Sequence, residues 1–302
     1  MRKPVSWCAV MLALCVSGVR AQDAWDRFLP GTTLFKPLIA DPMEPRFTLG
    51  LLKTNILAEQ GPERDPFFVV EDDKSDVVAA VGIGMAFPFA RLKTWDDGAI
   101  NLTGHVGVFS RFRIENPSRD DMGQDWVVGG GIEVLKRDIA GRVRIHHRSS
   151  HLGDEFTQST GAQRIEFGGE AMEAVFSYLD RTGVRLYGGG SYIFHSNTSE
   201  TAVMRRLNRD DRYTAQAGAD GSWYRWSGGH VGVHGGLDYQ TTQRTNWQSA
   251  FSALGGVAFR REAKEDSREL RLSLRYFTGP SSMGEFFLTR EQYVHFELMG
   301  RL

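Results

Sequence analysis

Apolar and polar residues alternate along most of this chain, in stretches separated by polar, glycine- or proline-containing breaks. Side chains two apart share one face of a strand, so the alternation predicts β-strands with one greasy and one wet face. Twelve such stretches follow one another, near 46–57, 77–90, 99–114, 125–136, 141–149, 163–179, 183–195, 212–225, 230–240, 246–260, 268–278 and 290–302. In the third, Ile100, Leu102, Val106, Val108, Phe112 and Ile114 oppose Asn101, Thr103, His105, Arg111 and Arg113. In the ninth, Val231, Val233, Leu237 and Tyr239 oppose His230, His234, Asp238 and Gln240. The last puts Val294, Phe296, Leu298 and Leu302 opposite His295, Glu297 and Arg301. A final strand of this kind is what a closed sheet needs to pair with its first strand and remove the free edge.

The connections carry a second pattern. Ala58–Asp76, Glu115–Gln124, Ser150–Ala162 and Ser196–Asp211 are long and polar, whereas Arg137–Ala140, Asp180–Thr182 and Trp226–Gly229 are short. Bacterial outer-membrane barrels alternate long external loops with short periplasmic turns. The expected fold is therefore all-β: a transmembrane antiparallel barrel of about twelve strands over 46–302, preceded by an irregular periplasmic segment over 22–45. Pro30, Pro37, Pro42 and Pro45 break any regular element in that segment. Trp95, Trp126, Trp223, Trp226 and Trp247 fall near strand ends, where an interfacial aromatic girdle belongs; the alternative is ordinary core packing.

The start of the chain reads as a secretory signal over Met1–Ala21. Arg2 and Lys3 precede an apolar run from Trp7 to Val16, and Val19 and Ala21 are the small residues before a cut ahead of Gln22. That run is too short to span a bilayer, and no later stretch reaches the length of a helical span. Leu14 before Cys15 is too bulky for lipoprotein cleavage. Both cysteines, Cys8 and Cys15, would leave with the signal, so the mature chain would hold no disulfide. With Arg2, Lys3 and Arg20 removed, 36 basic against 37 acidic residues becomes a formal charge of about −4 without a basic tail, which argues against nucleic acid as a partner. Many of the 34 glycines lie inside strand-like runs, as curved barrels tolerate.

The inward face is charged. Arg142, Arg144, His146 and Arg148 share one side of strand five, with Glu133, Glu166 and Glu170 expected on the same inward side of its neighbours. Carboxylates one strand from arginines form charge-assisted ladders, which would narrow or plug the lumen; unpaired side chains in a wet pore are the alternative.

Three segments resemble a known family. Leu34-Phe35-Lys36-Pro37-Leu38-Ile39-Ala40-Asp41-Pro42-Met43-Glu44-Pro45-Arg46-Phe47 opens the mature chain. Ser149-Ser150-His151-Leu152-Gly153-Asp154-Glu155-Phe156 lies in the middle, and Gly279-Pro280-Ser281-Ser282-Met283-Gly284-Glu285-Phe286-Phe287 near the end. They are similar to the motifs of the bacterial domain-of-unknown-function 1207 family. The resemblance implies an envelope protein of a Gram-negative-type bacterium and supplies no catalytic residues.

One constellation carries chemistry. His147 and Ser149 lie two apart at the end of strand five, so imidazole and hydroxyl share a face, as a serine nucleophile and its base require. The alternation puts them with Val143 and Ile145 on the lipid side, at the external rim. In this respect the chain looks like outer-membrane phospholipase A and the lipid A 3-O-deacylase, barrels with a His-x-Ser pair on the outer wall. Glu155, Asp154 or His151 is expected to orient the histidine, with Glu155 the first choice; Ser150 stands where the deacylase commonly has Asn. The bland reading makes Ser149 to Glu155, with Ser150, His151, Leu152, Gly153 and Asp154, a structural rim loop. His195 and Ser196 are adjacent and so point to opposite faces. No Cys/His metal cluster is present in the sequence, and Ca²⁺ enters only with the hydrolase reading. The expected partners are outer-membrane lipids and lipopolysaccharide, with the barrel-assembly machinery during insertion. Three functions stay open: a structural or interaction barrel with a charge-filled lumen, a serine-dependent lipid esterase, and a narrow channel.

Overall fold

The computed structural model describes residues 27–57, 76–115, 119–162, 164–165, 167–196, 212–264 and 267–301. The expected signal over Met1–Ala21, the inward candidate Glu166 and most of the first and fourth long loops lie outside the described residues.

The twelve strands are β1 Phe47–Leu57, β2 Asp76–Trp95, β3 Gly98–Arg113, β4 Asp121–Lys136, β5 Ile139–Leu152, β6 Gly168–Leu179, β7 Val184–Ser196, β8 Tyr213–Trp226, β9 Val231–Thr242, β10 Ser249–Arg260, β11 Glu269–Pro280 and β12 Arg290–Arg301. Each pairs antiparallel with its sequence neighbours, and β1 closes the ring on β12, with Leu51 opposite Phe296 and Leu49 opposite Leu298. Closure satisfies every edge within the sheet, which a bilayer demands because its core offers no water to an unpaired N–H or C=O. Ile83, Ile145, Phe176, Leu274 and Phe296 are each more than half exposed on the outer wall. A contiguous apolar surface of that extent is a liability in water and the required face in lipid. Trp95, Trp223 and Trp226 stand near the short-turn ends of β2 and β8, and Trp126 and Trp247 toward the long-loop end.

Two elements differ in extent from the pattern. The second strand, expected to end at 90, continues to Trp95, with register shifts at Pro88/Ala90 and Arg91/Lys93 accommodating the proline and the irregular pairing as bulges. The fifth runs through Ser149–Leu152, which pair with Trp126 back to Gly123, so this part of the expected rim loop is strand. The loop then forms the helix α1, Asp154–Thr160, with Phe156 buried.

The larger difference concerns the segment expected outside the barrel in the periplasm. It is irregular, but residues 32–45 lie within the lumen. Phe35 and Leu38 are almost fully buried against Ala140, Val175 and Tyr187. The physical reason is its unpaired backbone. Irregular chain at membrane depth must find partners inside protein, and the inward charges supply them. Leu34 and Phe35 N–H donate to Glu133 (2.7 and 3.3 Å), and Ile39 N–H to Asp220 (3.0 Å). Arg185 donates to the carbonyls of Lys36 (2.6 Å) and Pro37 (2.8 Å), Arg275 to that of Ala40, and Asn101 to that of Thr32.

At the opposite end the β11–β12 loop turns inward. Glu285 is buried and accepts from Ile165 N–H (2.7 Å) and Phe167 N–H (3.1 Å), while its own N–H donates to Ser150 Oγ. Phe286 packs edge-on against Phe156 of α1.

Candidate functional site

Directly opposed residues on antiparallel strands share a face, and this decides which charges meet. Arg142 and Arg144 point inward on β5. Arg144 stands opposite Glu173 of β6, and His147 opposite Glu170. Glu173 therefore joins the lumen network, and Glu170 faces out, correcting the inward assignment of Glu170. Inside, Arg142 forms a bidentate pair with Glu44 of the lumen segment (2.6 and 2.8 Å) and holds Glu173 through Nε (2.9 Å). Arg144 reaches the other oxygen of Glu173 at 2.8 Å. Arg148 pairs with Asp125 of β4, and Asp125 also accepts from Gly284 N–H. Glu133 was expected in an arginine ladder; its Oε2 instead accepts the backbone of Leu34 and Phe35. Further paired sets among the described residues, outside the expected network, include Arg185 with Asp220 and Arg275 with Glu297. Their signal was legible as an Arg and an acid of matching parity on adjacent strands.

Outside, at the long-loop end, β5, β6 and β7 build a polar patch on the lipid-facing wall. His147 Nδ1 lies 2.9 Å from Glu170 Oε1, and Glu170 Oε2 meets His195 Nδ1 from the next strand. The register shift at Glu170/Ala171 brings His195 opposite Glu170. Ser149 projects on the same wall beside Trp126, and its Oγ is 3.2 Å from His151 Nε2. The hydroxyl is thus bonded to His151, two residues on, and the carboxylate holding His147 is Glu170. Glu155, expected in that orienting role, is exposed on α1 and, among the described residues, has no hydrogen bond or ion pair, and Asp154 pairs with Arg164. Among the described residues no group of three or more His, Cys, Asp or Glu is arranged to hold a metal ion.

A family model described as "Protein of unknown function (DUF1207)" matches residues 12–300. The chain belongs to the DUF1207 family. Among solved structures, the chain is similar to the Salmonella typhi outer membrane phospholipase dimer with bound calcium. The TM-score is 0.56 at 10% identity, covering 90% of this chain and 97% of that one. The Escherichia coli outer membrane phospholipase A follows at TM-score 0.53 and 12% identity, covering 86% and 93%. At such identity these likenesses show the fold, an outer-membrane-type barrel. No curated protein matches the sequence.

Within this DUF1207 barrel the patch is a carboxylate–imidazole pair beside a serine. A carboxylate bonded to one ring nitrogen fixes the tautomer and leaves the other nitrogen as the acceptor that a general base needs. The histidine within hydrogen-bond reach of the hydroxyl is His151, while the carboxylate-bound one is His147.

Proposed function

We propose that this protein is a closed, non-conducting barrel of the outer membrane, acting as a structural or interaction element of the envelope. The observation that carries this is the occupied lumen: segment 32–45 crosses it, and Glu44, Asn101, Arg142, Glu173, Asp220, Arg275 and Glu297 are all buried around it. A diffusion pore needs water-filled space along its axis, and here the segment and the paired charges around it occupy the lumen at their level. On this reading the protein is secreted by a leader over Met1–Ala21, which the charged start and short apolar run support, and inserted by the barrel-assembly machinery, with outer-membrane lipid and lipopolysaccharide as the surrounding partners. Planar-bilayer recording on the purified protein tests the reading. No steady unit conductance is expected; a stable ohmic conductance refutes it.

A second reading is favoured by one observation, the Glu170–His147 pair next to Ser149 on the lipid-facing wall. Ser149 Oγ would attack the carbonyl of a lipid acyl ester as a histidine takes its proton; the acyl C–O bond breaks, the histidine returns the proton to the departing lipid alcohol, and water then hydrolyses the acyl-serine to free fatty acid, with Ca²⁺ as the candidate cofactor. Lipid mass spectrometry on mixed phospholipid and lipopolysaccharide micelles, with Ca²⁺ or chelator, tests it. Fatty acid released by the parent but not by Ser149→Ala supports hydrolysis. His147→Ala and His151→Ala then identify the base, and loss only with His151→Ala removes Glu170 from the mechanism. No release from any lipid ends the hydrolase reading.

A further inference from the structure

At the short-turn rim, the outer wall carries two lysines whose positions the strand register fixes. Trp95 of β2 stands opposite Gly98 of β3, and Gly98 opposite Lys136 of β4, so all three share one face. Lys93, two residues before Trp95, joins them, its Nζ 5.8 Å from the centre of the Trp95 ring. That face is the lipid-facing one: Ile139, opposite Lys136, is 58% exposed, and Tyr178 beyond it 49%. A Cβ on Gly98 would meet Trp95 Nε1 at 2.5 Å, so glycine there lets the indole lie across β3 between the two lysines.

A lysine at the edge of an apolar band extends its ammonium to the headgroup level, and tryptophan favours the same level. Among the described residues neither Lys93 nor Lys136 has an ion pair or a side-chain hydrogen bond, and both are exposed. The acids of this rim are placed otherwise. Asp97 is held by Arg137 at 2.8 Å. Asp96 and Asp138 lie in the turns, beyond the last strand residues and toward water, and among the described residues pair with neither lysine. Toward the middle of the wall the same face continues as Leu102, Ile132 and Val134, all exposed. Strands two apart are about 10 Å from each other, a gap that two flexible lysine stems can close on one phosphate.

We propose that this rim binds an anionic glycerophospholipid, its phosphate between Lys93 and Lys136, its glycerol against the Trp95 indole and its acyl chains along Leu102, Ile132 and Val134. A zwitterionic headgroup brings an ammonium that the two lysines repel, so the site selects lipid of net negative charge. The proposal rests on the chain being a membrane barrel and adds the class of lipid held at one place on its wall.

Native mass spectrometry of the full chain, released from micelles holding equal amounts of phosphatidylglycerol and phosphatidylcholine, tests this. Each lysine should contribute about fivefold, so the parent is expected to retain phosphatidylglycerol at least tenfold in preference. Lys93→Gln/Lys136→Gln should bring the two lipids close to equality. Lys53→Gln/Arg164→Gln removes as much charge from the long-loop end and should keep the preference. Excess glycerol 3-phosphate should leave the bound lipid in place. Heat-modifiable gel mobility reports whether each variant is folded, and the comparison of lipids on the parent stands without them. Equal retention of both lipids by the parent, an undiminished preference in the lysine variant or an equal loss in the control variant would overturn the site and leave the membrane barrel standing. Displacement by glycerol 3-phosphate would make it a site for soluble phosphate and overturn it too. Retention of neither lipid would overturn the membrane barrel along with the site.

Discussion

Arg142 is the joint between the lumen segment and the barrel wall, and removing it should loosen that segment. Its fork engages Glu44 at 2.6 and 2.8 Å and Glu173 at 2.9 Å, with Arg142 and Glu44 almost completely buried. The group Glu44, Glu173, Arg142 and Arg144 is neutral as a set. Arg142→Met leaves two carboxylates facing one guanidinium. At ~4 Å and an effective dielectric of ~20, one lost pair is about 4 kcal/mol, within the ~3–5 kcal/mol typical of breaking a buried pair. Every 1.4 kcal/mol is tenfold in an equilibrium, so undocking of the segment should become roughly a hundred- to a few-thousand-fold more frequent.

Two readouts follow from that number. Hydrogen exchange at the Leu34, Phe35 and Ile39 amides, which donate to Glu133 and Asp220, should accelerate by that factor. Guanidinium unfolding in vesicles should show the same loss. Adding Glu44→Met to Arg142→Met removes the stranded charge and leaves the Arg144–Glu173 pair neutral. The double variant should therefore be at least ~2 kcal/mol more stable than the sum of the singles implies. Strict additivity of the two singles, or unchanged exchange at Leu34 and Ile39 in Arg142→Met, would refute the joint.

Three further outcomes are expected. Ile145→Arg places a charge on the lipid-facing wall midway along β5 and should cost about 2–4 kcal/mol, measured by reversible folding into vesicles; a cost near zero would put that wall in water. Gly153→Ala should lift the start of α1 from β4, because a Cβ there meets Asp121 O at 1.7 Å; the ~1–3 kcal/mol of overpacking should register as faster proteolysis within 154–160. Asp180 in the β6–β7 turn accepts from Thr182 Oγ1 (2.7 Å), Thr182 N–H (2.8 Å) and Val184 N–H (2.9 Å), which hold its carboxyl below the usual 3.8. Its contribution is full above pH 3.8 and disappears as pH falls through the lower folded value, so exchange at Val184 should speed up only in that acid window and lose the dependence in Asp180→Asn.

Legibility tracked periodicity. β3, β9 and β12 were readable because one face of each meets lipid and the other the lumen: Leu102 and Phe296 are exposed, Asn101 and Glu297 buried. Loop alternation gave the closed ring, since turns such as 96–97 and 137–138 can only join adjacent antiparallel strands. What failed had no period to read. The segment 32–45 has no alternation because its backbone is paired by side chains from five different strands, β3, β4, β7, β8 and β11. The second stretch was read only to 90, because the register shifts at Pro88/Ala90 and Arg91/Lys93 interrupt the alternation while the strand runs on to Trp95. The outer patch was half readable: His147 and Ser149 follow from spacing two, but Glu170 and His195 enter by cross-strand register, which a β-bulge resets without trace in local sequence.

The inward arginines explain why the segment stays. A guanidinium has five donors in a fixed fork, and a single carboxylate occupies only part of them. Arg185 gives Nε and one terminal nitrogen to Asp220, and its terminal nitrogens also reach Lys36 O and Pro37 O. Arg275 divides itself in the same way between Glu297, Ser252 Oγ and Ala40 O. Each wall acid neutralises its arginine's charge, and the segment's carbonyls take the donors that remain. With the segment withdrawn, the charges would still balance but those donors would face a narrow, poorly hydrated lumen unpaired. The segment is thus held by hydrogen bonding more than by net attraction, apart from the Glu44 pair. Its docking should accordingly depend on charge chiefly where Glu44 meets Arg142, a pair buried against the wall of β5 and therefore only weakly screened, so that added salt changes docking little.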